Sequence, residues 1–306
     1  MATLKDYLQL HFIVLIWGFT AIIGLLITIP SVEIVFYRTL ISFIALGILL
    51  YLRKRNFLLG TREIIKISST GLLIAAHWIL FFAAARVSTA SVCLAGMATC
   101  TLWTSILEPV MTQRKIKYFE VMLGLIVIGG LYVIFTFEFN HALGLFMAIA
   151  SAFLSSLFTV INGKFSTRHN PYMITFYEMI GACIGTVAFF PVYLRYFAGE
   201  NQLQLSPSAM DWLYLAILAI ICTVYAYSIS VELMKRMSAF TINLTVNMEP
   251  VYGIILAYLI FREAEKMTSG FYFGTLIILL SVLAYPILNK IHKRRNLKAD
   301  VVKKSI

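Results

Sequence analysis

Apolar residues along this chain form long unbroken stretches and do not alternate with polar ones. Ten stretches approach the ~20 residues that an α-helix needs to cross a bilayer. They lie at about residues 10–29, 33–52, 67–85, 89–113, 118–137, 142–162, 172–194, 212–234, 239–261 and 270–289. A membrane β-barrel would show ~10-residue segments of alternating polarity. The pattern therefore predicts an all-α integral membrane protein with ten transmembrane helices, the first of which is not a cleaved signal.

Composition agrees with this prediction, and charge adds an orientation. Of the 306 residues, 60% are hydrophobic and 13% are charged. With the N-terminus inside, 20 of the 25 Lys and Arg residues fall in inner segments and four in outer ones. Because positive residues favour the inner side, both termini are predicted to be cytoplasmic. We expect the membrane to be a bacterial inner membrane. The net charge of +11 then reflects topology, and nucleic-acid binding is excluded.

The two halves of the chain share a short motif. EIVFYRTLISF at 33–43 aligns with YMITFYEMIGA at 172–182 at an offset of 140. The aligned pairs are Phe36 with Phe176, Tyr37 with Tyr177 and Arg38 with Glu178. Five spans per half is an odd number, so the halves cross the membrane in opposite directions. This predicts a 5+5 inverted repeat, an architecture that many secondary transporters use.

We divide the chain accordingly into three parts. Residues 1–140 form the first repeat, 141–290 the second, and 291–306 a basic cytoplasmic tail. Clustered Lys and Arg beside a membrane span attract anionic lipid. The tail is therefore expected to contact membrane lipid.

The stretch NLTVNMEPVYG, residues 243–253, is unusually polar for the middle of a span. An ionised Glu249 there costs ~2.5–3.5 kcal/mol unless it is paired, protonated or facing water. Pro250 lacks an N–H and breaks the helix ladder, while Asn243 and Asn247 share one helix face. These residues are predicted to line a cavity that binds a solute or a proton. The alternative is a proline kink whose polar groups pack on neighbouring helices.

His77 and Trp78 lie together near the centre of the third stretch. A histidine can shuttle protons near neutral pH, or it can join two helices as a neutral hydrogen-bonding group. Trp78 is too deep for an interfacial belt, so it offers either a stacking surface for a solute or plain packing.

Arg38 and Glu178 occupy equivalent places in the two halves. Each is predicted about a turn and a half from a membrane surface, which Arg38 can reach by extending outward. We interpret them as gate or pathway residues, with interfacial anchoring as the alternative. Tyr37 and Tyr177 beside them are either gate residues or members of an aromatic belt.

Several of these motifs resemble one transporter family. WGF at 17–19, FYR at 36–38 and MEPVYGIILAYLIFREA at 248–264 are similar to the EamA-type permeases of the drug/metabolite transporter superfamily. The resemblance implies a secondary transporter that moves small organic metabolites such as amino acids, usually outward. Transport would proceed by alternating access through a central cavity, with proton coupling as an option.

The sequence lacks the motifs that are typical of several other functions. It has no GxxxxGK[ST] loop for ATP and no hydrolase or metalloprotease motif, so we expect no enzyme activity and no cofactor. The four cysteines lie in apolar stretches without metal-ligand spacing, so no metal is expected. A flippase for lipids or lipid-linked sugars remains the alternative within the carrier architecture. The sequence makes no prediction of substrate identity or oligomeric state.

Overall fold

The computed structural model describes residues 2–54, 58–113, 115, 117–137, 139–198 and 202–304. Arg55 and Arg114, two of the inner charges counted above, lie outside the described residues. So do the last two residues of the predicted basic tail.

Ten of the described helices are long and apolar enough to cross a membrane, as the sequence predicts. They are α1 Leu4–Leu26, α2 Ser31–Leu52, α3 Thr61–Val87, α4 Ala90–Thr112, α5 Tyr118–Phe137, α6 Phe139–Ser166, α7 Pro171–Tyr196, α8 Ala209–Leu233, α9 Ala239–Phe261 and α10 Ser269–His292. An even number of crossings brings both chain termini to one end of the bundle, here named the terminal end. The other is named the opposite end.

Helix starts follow from side-chain capping. α1 begins at Leu4, earlier than predicted, because Thr3 and Asp6 form a reciprocal capping box. Ser208 and Asp211 form a second one at the start of α8. Each box satisfies two backbone N–H groups that would otherwise lack partners. At the other end of the chain the α10 helix continues without a break to Lys304.

Helices α4 and α9 are interrupted at equivalent points. α4 consists of Ala90–Met97 and Cys100–Thr112, and α9 of Ala239–Val246 and Glu249–Phe261. Each helix therefore has 8 residues, a two-residue break and 13 residues. This match aligns Glu249 with Cys100. The tetrapeptides LEPV at 107–110 and MEPV at 248–251 are similar, but their glutamates, Glu108 and Glu249, do not align. Interrupted backbone at membrane depth is tolerated where it faces protein or a cavity.

Two more helices depart from regular α geometry. α1 breaks at Phe19, between segments Leu4–Gly18 and Thr20–Leu26. α8 winds as a π-helix over Ile217–Tyr227. A wider helix of this kind is rare and often lies at a functional site.

The packing pairs equivalent helices of the two halves. α2 packs on α7, α4 on α9 and α5 on α10, while α3 lies against α6 and α7. Where α3 crosses α7 the backbones touch: a Cβ added at Gly181 would lie 1.9 Å from the Ser68 carbonyl oxygen, and one at Gly71 2.2 Å from that of Glu178. Small residues permit such close crossings in membranes. The structure thus confirms the all-helical two-repeat fold.

Candidate functional site

A buried cavity lies at the centre of the bundle, beside the breaks in α4 and α9. Its volume is about 80 Å³, enough for several water molecules. Seven of the ten helices contribute to its wall. The lining residues are Trp17, Thr20, Arg38, His77, Trp78, Phe81, Met97, Ser155, Phe158, Thr159, Cys222, Tyr227, Ser230, Met234, Ile242, Asn243, Val246 and Glu249.

Glu249 presents its carboxylate to this cavity. It is the first residue of the second α9 segment, where the positive end of the helix dipole favours an anion. The residue is only 6% exposed. Among the described residues, none makes a hydrogen bond or an ion pair with the carboxylate. Glu249 is therefore a buried acid whose remaining partner has to come from the cavity.

Arg38 lines the same cavity from α2. Its Nε donates a hydrogen bond of 2.9 Å to Thr223 Oγ1, and its guanidinium carbon lies 3.7 Å from the centre of the Trp78 ring. Arg38 does not extend outward, because its side chain turns to these two partners and is 3% exposed. Its assignment as a gate or pathway residue stays a prediction. Arg38 and Glu249 are thus brought together in one cavity without forming an ion pair.

The π-helix of α8 supplies the polar contacts on this wall. Thr223 Oγ1 donates to the Leu218 carbonyl, five residues earlier. The Cys222 carbonyl accepts 3.0 Å from Trp17 Nε1. The wider helix therefore offers both a hydroxyl to Arg38 and a carbonyl to Trp17.

His77 is held at its Nδ1 by Ser151. That nitrogen lies 3.0 Å from the Ser151 carbonyl and 2.7 Å from Ser151 Oγ, while Oγ donates back to the His77 carbonyl at 2.9 Å. These contacts favour the tautomer with hydrogen on Nδ1. The histidine is therefore fixed across the α3–α6 interface while its ring still lines the cavity.

Asn243 and Asn247 both reach from α9 to α4. Asn243 Nδ2 donates 2.7 Å to Thr104 Oγ1, and Asn247 Nδ2 donates to Thr101 Oγ1. Thr101 Oγ1 in turn donates to the Asn243 carbonyl at 3.4 Å. Asn243 also lines the cavity, whereas Asn247 and Pro250 do not. Hydrogen bonds thus join the two interrupted helices close to their breaks.

Glu178 lies behind the cavity wall. It is 0% exposed, and its Oε2 accepts 3.1 Å from the hydroxyl of Tyr227. That hydroxyl accepts 2.7 Å from Asn162 Nδ2. Because Tyr227 lines the cavity, one hydroxyl separates Glu178 from it. The burial of Glu178 follows from the packing of α7 among α2, α3 and α8. Its assignment as a gate or pathway residue stays a prediction.

The two neighbouring tyrosines lie away from the cavity. Tyr37 donates 2.9 Å to the Leu205 carbonyl at the opposite end and packs edge-on against Trp212. Tyr177 is buried against Phe176. Their assignment as gate or belt residues stays a prediction.

The sequence reasoning missed several residues of the cavity wall. Trp17, Thr20, Phe81, Phe158, Cys222 and Tyr227 were not proposed as site residues. Trp17 carried one usable signal, as part of WGF in the family resemblance. The others sit in plain apolar stretches, where a wall residue and a packing residue look alike.

The terminal end of the bundle opens toward this cavity. A second cavity of about 330 Å³ lies there, and its lining includes Glu108, Lys164, Arg168 and Ser238. Met234 lines both cavities. The two cavities therefore adjoin at this side chain.

The opposite end is closed by polar contacts between helix ends. Asp211 accepts hydrogen bonds from Thr28 N at 2.8 Å and Thr28 Oγ1 at 2.7 Å. Arg86 Nη2 donates to the carbonyls of Ile27 and Ile29 at 2.8 and 2.6 Å. These contacts tie the end of α1 to α3 and α8.

Comparisons with known proteins agree with the fold. One solved crystal structure superposes with a TM-score of 0.67 at 15% identity, over 94% of this chain and 98% of its own. At that identity the likeness concerns the fold alone. A comparison with curated protein sequences found no match.

The family comparison extends over nearly the whole chain. The model of the EamA-like transporter family matches residues 6–136 and 142–285, one match in each repeat. The domain boundary near residue 140 stays a prediction at the level of single residues. The chain is a multi-pass integral membrane protein and belongs to the EamA-like transporter family.

Proposed function

We propose that this protein is a secondary transporter of small zwitterionic metabolites, with amino acids as the substrate class. One observation carries the proposal: Arg38 and Glu249 line the same buried cavity and make no ion pair with each other. Two opposite charges in a membrane interior are costly unless each finds a partner. An amino acid brings both partners, a carboxylate for Arg38 and an ammonium group for Glu249.

The rest of the wall suits the remainder of such a solute. Trp17, Trp78, Phe81 and Phe158 surround the charged pair with aromatic surface. A few polar groups within a mainly apolar pocket are typical of sites for small organic ligands. A guanidinium recognises a carboxylate through paired N–H donors, and that of Arg38 is already held by Trp78 and Thr223. These features support binding of an amphipathic α-amino acid.

The asymmetry of the two ends supports alternating access. Hydrogen bonds join the helix ends at the opposite end, whereas a second cavity adjoins the central one at the terminal end, which the sequence predicts to be cytoplasmic. A solute would enter from that side, widen the 80 Å³ cavity and leave after the opposite end opens. This sequence of steps supports export across a bacterial inner membrane, with both termini inside.

The cavity geometry favours a solute carrier over a flippase. A flippase needs a lateral opening to lipid, whereas residues of seven helices surround this cavity. The alternative predicts that lipid-linked substrates move and free amino acids do not.

The test is uptake of labelled amino acids into proteoliposomes that contain purified protein. We expect wild-type protein to accumulate or exchange at least one amino acid, and Glu249→Gln to lose most of that activity. The panel should include each amino acid beside its decarboxylated amine and its deaminated acid, which lack one of the two charges. Transport of the amine or the acid as fast as the amino acid would contradict the proposed charge pairing.

A matched control is available on the far side of α4. Glu120 is 2% exposed and accepts a tyrosine hydroxyl, from Tyr285 at 3.0 Å, but it lies outside the central cavity. Glu120→Gln removes a buried carboxylate without touching the site. It should retain uptake close to wild type. Equal losses in both variants would assign Glu249 a structural role.

A further inference from the structure

The carboxylate of Glu178 has unusual hydrogen bonding. Its side chain is fully buried, Oε2 accepts one hydrogen bond from Tyr227, and Oε1 has no partner. The Asn162 Oδ1 atom, in the same cluster, is also buried without a partner. A fully buried carboxylate with one neutral donor is poorly compensated when it is ionised. This setting therefore favours a proton on Glu178.

The surroundings contain no cation for an ionised Glu178. α6 faces it with Asn162 and α8 with Tyr227, the titratable group in contact with it. α3 crosses at Gly71. Arg38 on α2 and His77 on α3 are directed to Thr223, Trp78 and Ser151 instead. Among the described residues no ion pair reaches this carboxylate, so its charge is uncompensated whenever the proton leaves.

Tyr227 connects this acid to the cavity. Its hydroxyl bonds Glu178 on one side while the residue lines the cavity on the other. The hydroxyl can pass its proton to Glu178 Oε2 as it takes one from cavity water. The net change is one proton moved from the cavity to Glu178, with Tyr227 left neutral.

We propose that Glu178 is the proton-carrying site of this transporter and that Tyr227 couples it to the bound solute. When Glu178 is ionised, the Tyr227 hydroxyl donates to it and accepts from Asn162. When Glu178 is protonated, its own O–H donates to the tyrosine oxygen, and the tyrosine hydrogen turns into the cavity. Protonation thereby changes Tyr227 from a group that offers no hydrogen to the solute into a donor. A solute that carries a carboxylate gains one hydrogen bond only in the protonated state.

This inference rests on the proposed function, but its first test does not need transport. Infrared spectra of purified protein in lipid should contain the C=O band of a protonated carboxyl group that changes as pH is varied. Glu178→Gln should remove that band, and Glu120→Gln should keep it. Glu120 is the matched control because it also accepts a tyrosine hydroxyl but has Lys117 at 3.2 Å. Persistence of the band in Glu178→Gln, or its loss in Glu249→Gln alone, would overturn the assignment.

The second test separates coupling from transport. In proteoliposomes, Glu178→Gln should retain exchange of labelled for unlabelled amino acid, because exchange needs no net proton movement. Retained exchange also shows that this variant is folded. Glu178→Gln should lose the stimulation that a pH gradient gives to the wild type. Tyr227→Phe should lose it too, and its exchange should be slower because a hydroxyl of the cavity wall is removed. Gradient stimulation that survives in Glu178→Gln, or is absent from the wild type, would overturn the inference while leaving the carrier function intact. Failure of every amino acid to move would instead refute the proposed function, and the infrared result would still decide the proton site.

Discussion

The guanidinium carbon of Arg38 lies 3.7 Å from the centre of the Trp78 indole ring. Its Nε donates a hydrogen bond to Thr223. Trp78 and Thr223 thus both hold the guanidinium, and Arg38 lines the cavity. An arginine held in this manner is prepared for a planar anion such as a carboxylate.

This arrangement predicts a large effect of Arg38→Lys. An ammonium group cannot both cover the indole and donate through a planar edge. A desolvated cation–π contact contributes ~2 kcal/mol, so KM for the amino acid should rise roughly 10- to 30-fold. The maximal rate should change much less. Uptake kinetics in proteoliposomes measure both values.

Arg53→Lys is the control for that substitution. Arg53 also lies near an aromatic ring, 5.5 Å from that of Tyr172, but away from the cavity. Its KM should stay within about twofold of the wild type, as expected for an exposed contact worth ~0.5–1 kcal/mol or less. A similar rise of KM in both variants would mean that replacing arginine by lysine has a general effect, and it would contradict a binding role for Arg38.

The hydrogen bonds between the broken helices predict a measurable coupling. Asn243→Ala and Thr104→Val each remove one side of a 2.7 Å bond that joins α9 to α4. A double-mutant cycle on the free energy of unfolding should give an interaction of ~0.6–1.7 kcal/mol, the range found for interhelical bonds in membranes. Reversible unfolding in mixed micelles measures it.

A second cycle tests whether that coupling is specific. Thr136 on α5 bonds only its own helix, through the Tyr132 carbonyl at 2.8 Å. Asn243→Ala and Thr136→Val should therefore be additive within ~0.3–0.5 kcal/mol. Additivity in the Thr104 pair as well would mean that the bond contributes nothing to stability.

The close crossing of α3 and α7 predicts the most damaging single substitution. In Gly181→Ala the new methyl group would meet the Ser68 backbone oxygen at 1.9 Å, and backbone cannot move aside as a side chain can. The loss should reach or exceed ~3 kcal/mol, the upper end for overpacked sites. Thermal unfolding followed by size-exclusion chromatography reports it. Gly129→Ala is the control, since its Cβ has no atom within 4 Å; an equal loss there would contradict the argument.

Sequence patterns were sufficient for the fold because membranes impose a simple rule. Twenty or so apolar residues with satisfied backbone groups must form a helix in lipid. The ten spans and the two repeats follow from that rule. Glu249 was also accessible to prediction, because an acid at mid-depth is rare and has to face something other than lipid.

The direction of the Arg38 side chain and the positions of the helix breaks were harder to predict. Arg38 was placed by its distance from the span end, but a long side chain on a packed helix can turn either way, and Thr223 decides the direction. The π-helix that positions Thr223 lies in a plain apolar run with no Gly or Pro to indicate it. The break in α4 likewise falls at Ala98–Thr99 and not near Pro109, which is inside a regular helix. These features depend on tertiary contacts that no local pattern contains.

The contacts of Asp211 predict how the opposite end opens. Asp211→Ala removes both hydrogen bonds to Thr28, and bonds to a charged group contribute ~1.5–3 kcal/mol each. Opening at that end should become at least about 10-fold more frequent. Cys222 lines the central cavity and is 1% exposed, so it reports such opening. In a variant that keeps Cys222 as its single cysteine, a membrane-impermeant thiol reagent added on the side of the opposite end should label it correspondingly faster.

Two control substitutions test whether the hydrogen bonds between Asp211 and Thr28 are responsible. Ser208→Ala removes the cap that Ser208 gives to the Asp211 N–H but leaves the bonds to Thr28 in place, so labelling should rise little. Asp6→Ala breaks the 2.8 Å ion pair with Arg236 at the terminal end. It should speed labelling from the terminal side and not from the other. Alternating access requires that loosening one end favours entry from that end alone. If Asp211→Ala and Asp6→Ala raised labelling from the same side, the Asp211–Thr28 and Asp6–Arg236 contacts would not hold opposite ends of one pathway.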